Sequence, residues 1–213
     1  MSSFITFEGI EGSGKSTQIR RLLEWLRERR VETRMTREPG GTVMGEKVRG
    51  ILLDPTMKGL IPRAELLLYA AARVQHIEEV IQPAIGEGKV VLCDRFTDAT
   101  VAYQGYGRGI PLGEIKVINS LVTVDLKPDL TILLDLPVEV GLKRARDRNS
   151  ADASIAASRF EDEDMAFHGR VRSGYLEIAA YERGRVKIVP ADQPVEKVAR
   201  QVQSLVSKVL KLD

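Results

Sequence analysis

Residues 9–16 read Gly-Ile-Glu-Gly-Ser-Gly-Lys-Ser and follow the pattern G-x-x-x-x-G-K-[ST], with Thr17 next. Glycines at this spacing let a loop fold its backbone N–H groups around phosphate oxygens, and a helix starting there adds positive potential. Lys15 is placed to reach β- and γ-phosphates, and the Ser16 hydroxyl to ligate Mg²⁺. Gly9, Ile10, Glu11, Gly12, Ser13, Gly14, Lys15, Ser16 and Thr17 are therefore the candidate nucleoside-triphosphate site. The chain lacks the Asn-Lys-x-Asp that reads guanine, and at 213 residues it is too short for a motor or large ATPase. A small kinase acting on a metabolite or nucleotide remains. A nucleotide-dependent switch without catalysis is the alternative from another class.

Such a loop needs a strand before it and a helix after it. Phe4-Ile5-Thr6-Phe7 supplies the strand. Ile19, Leu22, Leu23 and Leu26 recur at helical spacing behind it. Val90–Cys93 and Leu130–Leu134 are continuous apolar runs, the habit of parallel strands buried on both faces. Val186–Val189 is a further strand and Glu32–Met35 a weaker one, while Val195, Val198, Val202, Leu205, Val206 and Val209 form a last amphipathic helix. Strands alternating with helices predict one α/β domain over 1–213, a parallel sheet with crossover helices. Residues 144–159 read as a surface loop rather than a domain boundary. Trp25 falls off the apolar stripe of its helix.

Composition narrows the partners. Lys+Arg is 32 and Asp+Glu 30, a formal net charge of +2, which argues against a tail-driven nucleic-acid binder. Of the basic residues 21 are Arg, the planar donor suited to phosphate, although codon bias explains the excess equally well. The single cysteine, Cys93, suits the reducing cytoplasm. No signal peptide is visible, and the longest apolar stretch, Leu66–Ala72, is far below the roughly 20 residues that span a bilayer. His76 and His168 have no metal-ligand spacing.

Further motifs join the loop in order: Phe7-Glu8-Gly9, Thr36-Arg37-Glu38-Pro39-Gly40-Gly41-Thr42, Tyr69-Ala70-Ala71-Ala72-Arg73, Asp94-Arg95-Phe96, and Ala102-Tyr103-Gln104-Gly105 leading into Gly107-Arg108-Gly109. Together they resemble the bacterial thymidylate kinases, over nearly the whole chain. The resemblance implies a transferase making dTDP and ADP from dTMP and ATP with Mg²⁺, in nucleotide biosynthesis, as a cytoplasmic homodimer. It implies a P-loop kinase fold, Rossmann-like in its three layers, with a five-stranded parallel sheet flanked by helices and a mobile lid at about 143–160.

It also implies roles, each beside a plainer reading. Asp94 ends an apolar strand, where a carboxylate organises the metal's water shell or simply caps the strand. Arg95 is suited to grip the acceptor phosphate, with Arg49 a second clamp or a solvated helix residue. Tyr69 and Arg73, at i and i+4, would stack on thymine and reach its O4, or be a core tyrosine and a surface arginine. Thr100 and Gln104 would bond the remaining base edge; Ala99 removes a hydroxyl that relatives carry. Tyr103 would lie against the sugar, or only pack. Glu11 would accept the 3′-OH, with Glu38 a lesser candidate near the phosphate and metal. Eukaryotic-type members place an arginine in the loop where this chain has Gly12, and here Arg144, Arg146, Arg148 and Arg159 of the lid would compensate. Arg148 is the first choice for stabilising the transferring group and Arg159 the next; Arg144 would lie nearer the adenine. A solvated charge run is the alternative for all four. Ala191-Asp192-Gln193-Pro194 resembles the family loop that contacts the adenine through its backbone, or is a helix-capping turn before Pro194.

Overall fold

Every residue of Ser3–Glu8 is buried, and this segment forms β1, the middle strand of the sheet. The computed structural model describes residues 2–57, 59–151 and 159–212. In chain order β1 is followed by α1 (Lys15–Glu28), β2 (Thr33–Arg37), α2 (Val43–Leu53) and α3 (Pro62–His76). A π-helical turn (Ile77–Ile81) joins α3 to α4 (Gln82–Gly86), which precedes β3 (Val90–Asp94). Next come α5 (Thr97–Thr100), a π-helical stretch (Val101–Gly107), α6 (Leu112–Thr123), β4 (Leu130–Asp135) and α7 (Val138–Ala151). A 3₁₀ turn (Arg159–Asp162), α8 (Met165–Tyr181), β5 (Val186–Pro190) and α9 (Val195–Leu210) complete the order. Residues 152–158 of the expected lid lie outside the described residues.

The strands are parallel in the order β2-β3-β1-β4-β5. The chain leaves β1 for the edge strand β2, returns to β3, and from β3 crosses past β1 to β4 and β5; where these connections part, a crevice is left beyond the carboxyl ends of the central strands. The period of two assigns the faces. Ile5, Phe7 and Leu92 share one cluster with Ile19, Leu22 and Leu26 of α1 and Val198, Val202 and Val206 of α9. Phe4, Val91 and Cys93 point the other way, against Ile77, Ile81 and Ala84. Each fully buried leucine or isoleucine contributes about 1.5–3 kcal/mol, so these two seams hold the strand ends in place.

The four apolar runs are strands, and the weaker candidate at Glu32–Met35 is β2, shifted a little toward Arg37. Two details differ. Trp25 is half-buried against the main core, with the Arg29 guanidinium 4.0 Å over its ring, because a large ring reaches the core from the edge of the stripe. Val195, counted in the last apolar stripe, is 40% exposed because α9 begins at the crevice rim. Among the described residues no helix is long and apolar enough to cross a membrane.

Candidate active site

The crevice holds a cavity of about 740 Å³ running from the start of α1 to the side of α3. At one end the chain enters α1 through Gly14 (φ 89°), with no side-chain cap and no acidic residue in the first turn. The first N–H groups of α1 are thus free to meet an anion. Lys15 Nζ donates to the carbonyls of Gly9 and Ile10, both at 2.9 Å, and to Ser13 Oγ at 3.2 Å. Burial, helped by Arg95, brings its pKa down to about 8 against the pull of Asp94, Glu11 and Glu8. Gly12 (φ 68°) leans on α7 so closely that a Cβ there would fall 2.0 Å from the Gly141 carbonyl oxygen.

Ser16 Oγ donates to Asp94 Oδ2 at 3.1 Å. Among the described residues no group of three or more His, Cys, Asp or Glu side chains could hold a metal. Mg²⁺ bound with a polyphosphate needs only one or two protein oxygens beside phosphate and water, and Ser16 with Asp94 fits that requirement.

Beneath the loop the chain turns at Arg95 (φ 71°), a left-handed conformation that costs a non-glycine residue about 1 kcal/mol or more. Its backbone N–H still donates to the Phe7 carbonyl at 3.0 Å, and its side chain doubles back under the phosphate loop. Nη1 donates to the Gly9 carbonyl and Tyr175 hydroxyl, and Nη2 to Glu11 Oε1 and the Tyr103 hydroxyl, at 3.0–3.1 Å. Tyr103 also donates to Glu11 at 2.7 Å. Burial pushes the Glu11 carboxyl up, but His168, Arg95, Lys15 and Tyr103 together hold it down at about 2. Behind this group Glu8, fully buried, accepts from the Phe96 N–H (2.8 Å) and the Tyr175 hydroxyl (2.7 Å). Burial and the nearby Asp98 raise its pKa to about 7.

At the other end α3 presents Tyr69 and Arg73 one turn apart. Arg73 is almost wholly buried and donates to Glu38 Oε2 (2.6 Å), Asn119 Oδ1 (3.3 Å) and the Phe96 carbonyl (3.1 Å). Three of its five N–H groups are thereby used and two remain. Thr100 Oγ1 is buried with no partner among the described residues. Gln104 is carried by the π-helical stretch, where the Arg108 N–H reaches back five residues to the Tyr103 carbonyl at 2.8 Å. That wider turn brings the neighbours Tyr103 and Gln104 to the same cavity wall. Between the two ends stand Arg37 and Arg49; burial and the nearby Arg37 cation lower the Arg49 pKa.

The thymidylate kinase family model matches residues 7–202. The chain is 55% identical to the thymidylate kinase of Geotalea daltonii, covering 97% of both chains. It is 50% identical to that of Syntrophotalea carbinolica over 100% of this chain and 98% of the relative. A crystal structure of thymidylate kinase from Ehrlichia chaffeensis superposes with a TM-score of 0.78 at 36% identity, covering 97% of this chain and 98% of that one. The chain belongs to the thymidylate kinase family. Phosphorylation of dTMP is the reaction of that family, and the P-loop kinase fold expected from the motifs is the one observed.

Within this thymidylate kinase fold the cavity is lined by the residues singled out from the sequence for the phosphate loop, the metal, the acceptor phosphate, the base and the sugar, except Gly9 and Ile10. Those two face inward, their carbonyls receiving Lys15, and Ile10 belongs to the core. Glu38 lines the cavity, yet Arg73 takes one of its oxygens and His76 Nδ1 lies 3.0 Å from the other; it orients Arg73 rather than standing free for a phosphate or metal. Of the lid arginines, Arg144 donates to the Ala191 carbonyl (2.9 Å), and Arg148, half exposed, pairs with Glu161 (3.1 Å); both line the cavity. Arg146 is exposed and lines no part of it. Arg159 corrects an expectation. It is buried against Glu65 at 2.6 Å and donates to the Leu52 carbonyl, so it is a tie between elements and not a cavity residue.

Four contributors were not singled out beforehand. Arg37 sat in a quoted motif without a role. Glu65 lies four residues before Tyr69, on the same helical stripe, which was a readable signal. Tyr175 and His168 on α8 lie more than 70 residues from Arg95 and more than 150 from Glu11, and nothing local marks them.

Proposed function

We propose that this cavity transfers the γ-phosphoryl group of ATP to the 5′-phosphate of dTMP, giving ADP and dTDP, within a single domain of residues 1–213 that includes a lid at about 143–160. The observation that supports this most is the pairing of two ends in one crevice: a phosphate-binding loop with Ser16 and Asp94, and a base pocket where Arg73 donates while Gln104 and Thr100 complete the edge. Arg73 is donor-only, which suits the O4 carbonyl of thymine and opposes the 4-amino group of cytosine.

Lys15 and the open start of α1 would hold the β- and γ-phosphates. Ser16 and Asp94 would hold Mg²⁺, which when bound neutralises charge on the phosphate oxygens. Arg95, fixed from below by the Gly9 carbonyl, Glu11 and two tyrosines, would grip the acceptor phosphate together with Arg49 and Arg37 and so fix the line of attack. Tyr69 would stack on the base, Tyr103 would lie against the sugar, and Glu11 would accept its 3′-OH. Arg148 from α7 would meet the charge that spreads over the transferring group, and Arg144 would sit by the adenine near Ala191.

The functional unit is a homodimer in the cytoplasm. An apolar face supports the first point: Leu67 and Val74 of α3 and Val117, Leu121 of α6 with Val124 beyond it are each at least 42% exposed on two helices that touch. A seam of that kind on a soluble enzyme is suited to a second copy. The lone Cys93, buried in β3, agrees with a reducing compartment.

A coupled ADP-release assay with ATP and, in turn, dTMP, dUMP, CMP and AMP tests the reading. Turnover is expected with dTMP above all. A preference for AMP would overturn the base-pocket assignment, and no turnover with any acceptor would overturn the enzyme reading.

A further inference from the structure

Glu65 is fully buried on α3, and none of the steps above uses it. Its Oε1 accepts from Gln104 Nε2 at 2.8 Å and from Arg108 Nε at 3.3 Å. Its Oε2 accepts from Arg108 Nη2 at 3.2 Å and from Arg159 Nη2 at 2.6 Å. A carboxylate clasped by two guanidinium groups offers only lone pairs to a third neighbour. The Gln104 amide must therefore turn its NH₂ toward Glu65, and its carbonyl Oε1 is left on the cavity side. No described residue donates to that oxygen.

The direction of this amide decides what the pocket can read. The two ends of a glutamine amide have almost the same shape, so their orientation is set by partners alone. Thr100 cannot make the choice, because a hydroxyl both donates and accepts. With Oε1 inward, the pocket offers an acceptor beside the donor Arg73. A thymine or uracil edge carries the complementary pair, an O4 acceptor and an N3–H donor. Cytosine carries the reverse pair, a 4-amino donor and a bare N3 acceptor.

We propose that Glu65 is a positioning residue for specificity: by fixing the Gln104 amide it makes the pocket accept a 4-oxo pyrimidine nucleotide and reject a 4-amino one. Arg108 and Arg159 keep the carboxylate in place. The proposal rests on the base contacts put forward above, and the experiment separates the two.

The ratio of kcat/KM for dTMP to that for dCMP is measured in the wild type and in Glu65→Gln, Gln104→Met and Arg108→Gln. In Glu65→Gln the new side chain can donate as well as accept and no longer dictates the amide. The ratio is expected to fall about tenfold or more, the scale on which an unmatched buried polar group discriminates. Arg108→Gln removes one guanidinium but keeps the carboxylate on Gln104; it is expected to lower the thermal midpoint and leave the ratio within about twofold. An unchanged ratio in folded Glu65→Gln, or an equal fall in Arg108→Gln, overturns the proposal, since the effect would then follow stability alone. If Glu65→Gln does not fold, Glu65→Asp, which keeps the charge but draws it back from Gln104, is judged by the same ratio. An unchanged ratio in Gln104→Met sinks the base-contact reading itself. A fall there without one in the Glu65 variants sinks only the role of Glu65.

Discussion

Arg73 Nε stands 2.6 Å from Glu38 Oε2, and both side chains are almost wholly buried. The other oxygen of Glu38 meets His76 Nδ1 at 3.0 Å, and His76 Nε2 meets Thr36 Oγ1 at 2.6 Å. A chain of polar groups therefore runs from β2 across to α3 and ends on the guanidinium that lines the α3 end of the cavity. Glu38→Ala leaves that guanidinium buried without its counter-charge. The expected cost is about 3–5 kcal/mol in urea unfolding, the usual penalty for breaking a buried pair. The KM for dTMP is expected to rise as well, because Arg73 loses the partner that aims it.

Arg148→Ala is expected to lower kcat about tenfold or more, about 1.4 kcal/mol of transition-state stabilisation, with the dTMP KM little changed. Steady-state kinetics with dTMP varied at saturating ATP gives both constants. Arg159→Ala provides the contrast. Its guanidinium is committed to Glu65, so its loss is expected to appear first as a lower unfolding midpoint.

Glu11 is held ionised down to about pH 2 and so is an acceptor throughout the working range. Wild-type enzyme is expected to favour dTMP over its 3′-deoxy analogue, and Glu11→Ala to lose most of that preference by losing dTMP affinity alone. Inhibition constants for the two nucleotides check this; an undiminished preference in the variant would remove Glu11 from the sugar site.

The raised Glu8 pKa carries a pH signature. Unfolded, the carboxyl ionises near 4.5; folded, it keeps its proton until about pH 7. Between these values the folded state binds more protons, so this group's contribution to stability declines as pH rises from 4.5 to 7 and is level above that. Glu8→Gln, which needs no proton to stay neutral, is expected to gain stability over the wild type across the same window and to hold the gain at pH 8. Denaturant midpoints at pH 5, 6, 7 and 8 trace it.

Much of the layout was readable in advance because it is local. Four of the five strands announce themselves as apolar runs, β2 (Thr33–Arg37) being the polar edge strand, and the phosphate loop needs only eight consecutive residues. Tyr69 and Arg73 are legible because one helical turn joins them. The place of Arg159 is illegible for the opposite reason: its charge is visible in the chain, but the buried carboxylate 94 positions away that pairs with it is not. Glu38 looked free for the same reason. His168 and Tyr175 approach the loop only because α8 folds back across the π-helical stretch, a matter of tertiary packing.

The contact of Gly12 with Gly141 bears on what the phosphate loop of this chain can accept. A Cβ on either residue would collide with the other's neighbourhood, at 2.0 Å from the Gly141 oxygen in one direction and 2.6 Å from the Glu11 oxygen in the other. Any side chain at Gly12 is thus incompatible with a close-set α7. To admit one, α7 would have to withdraw, and the helix that carries Arg144 and Arg148 over the cavity would loosen with it.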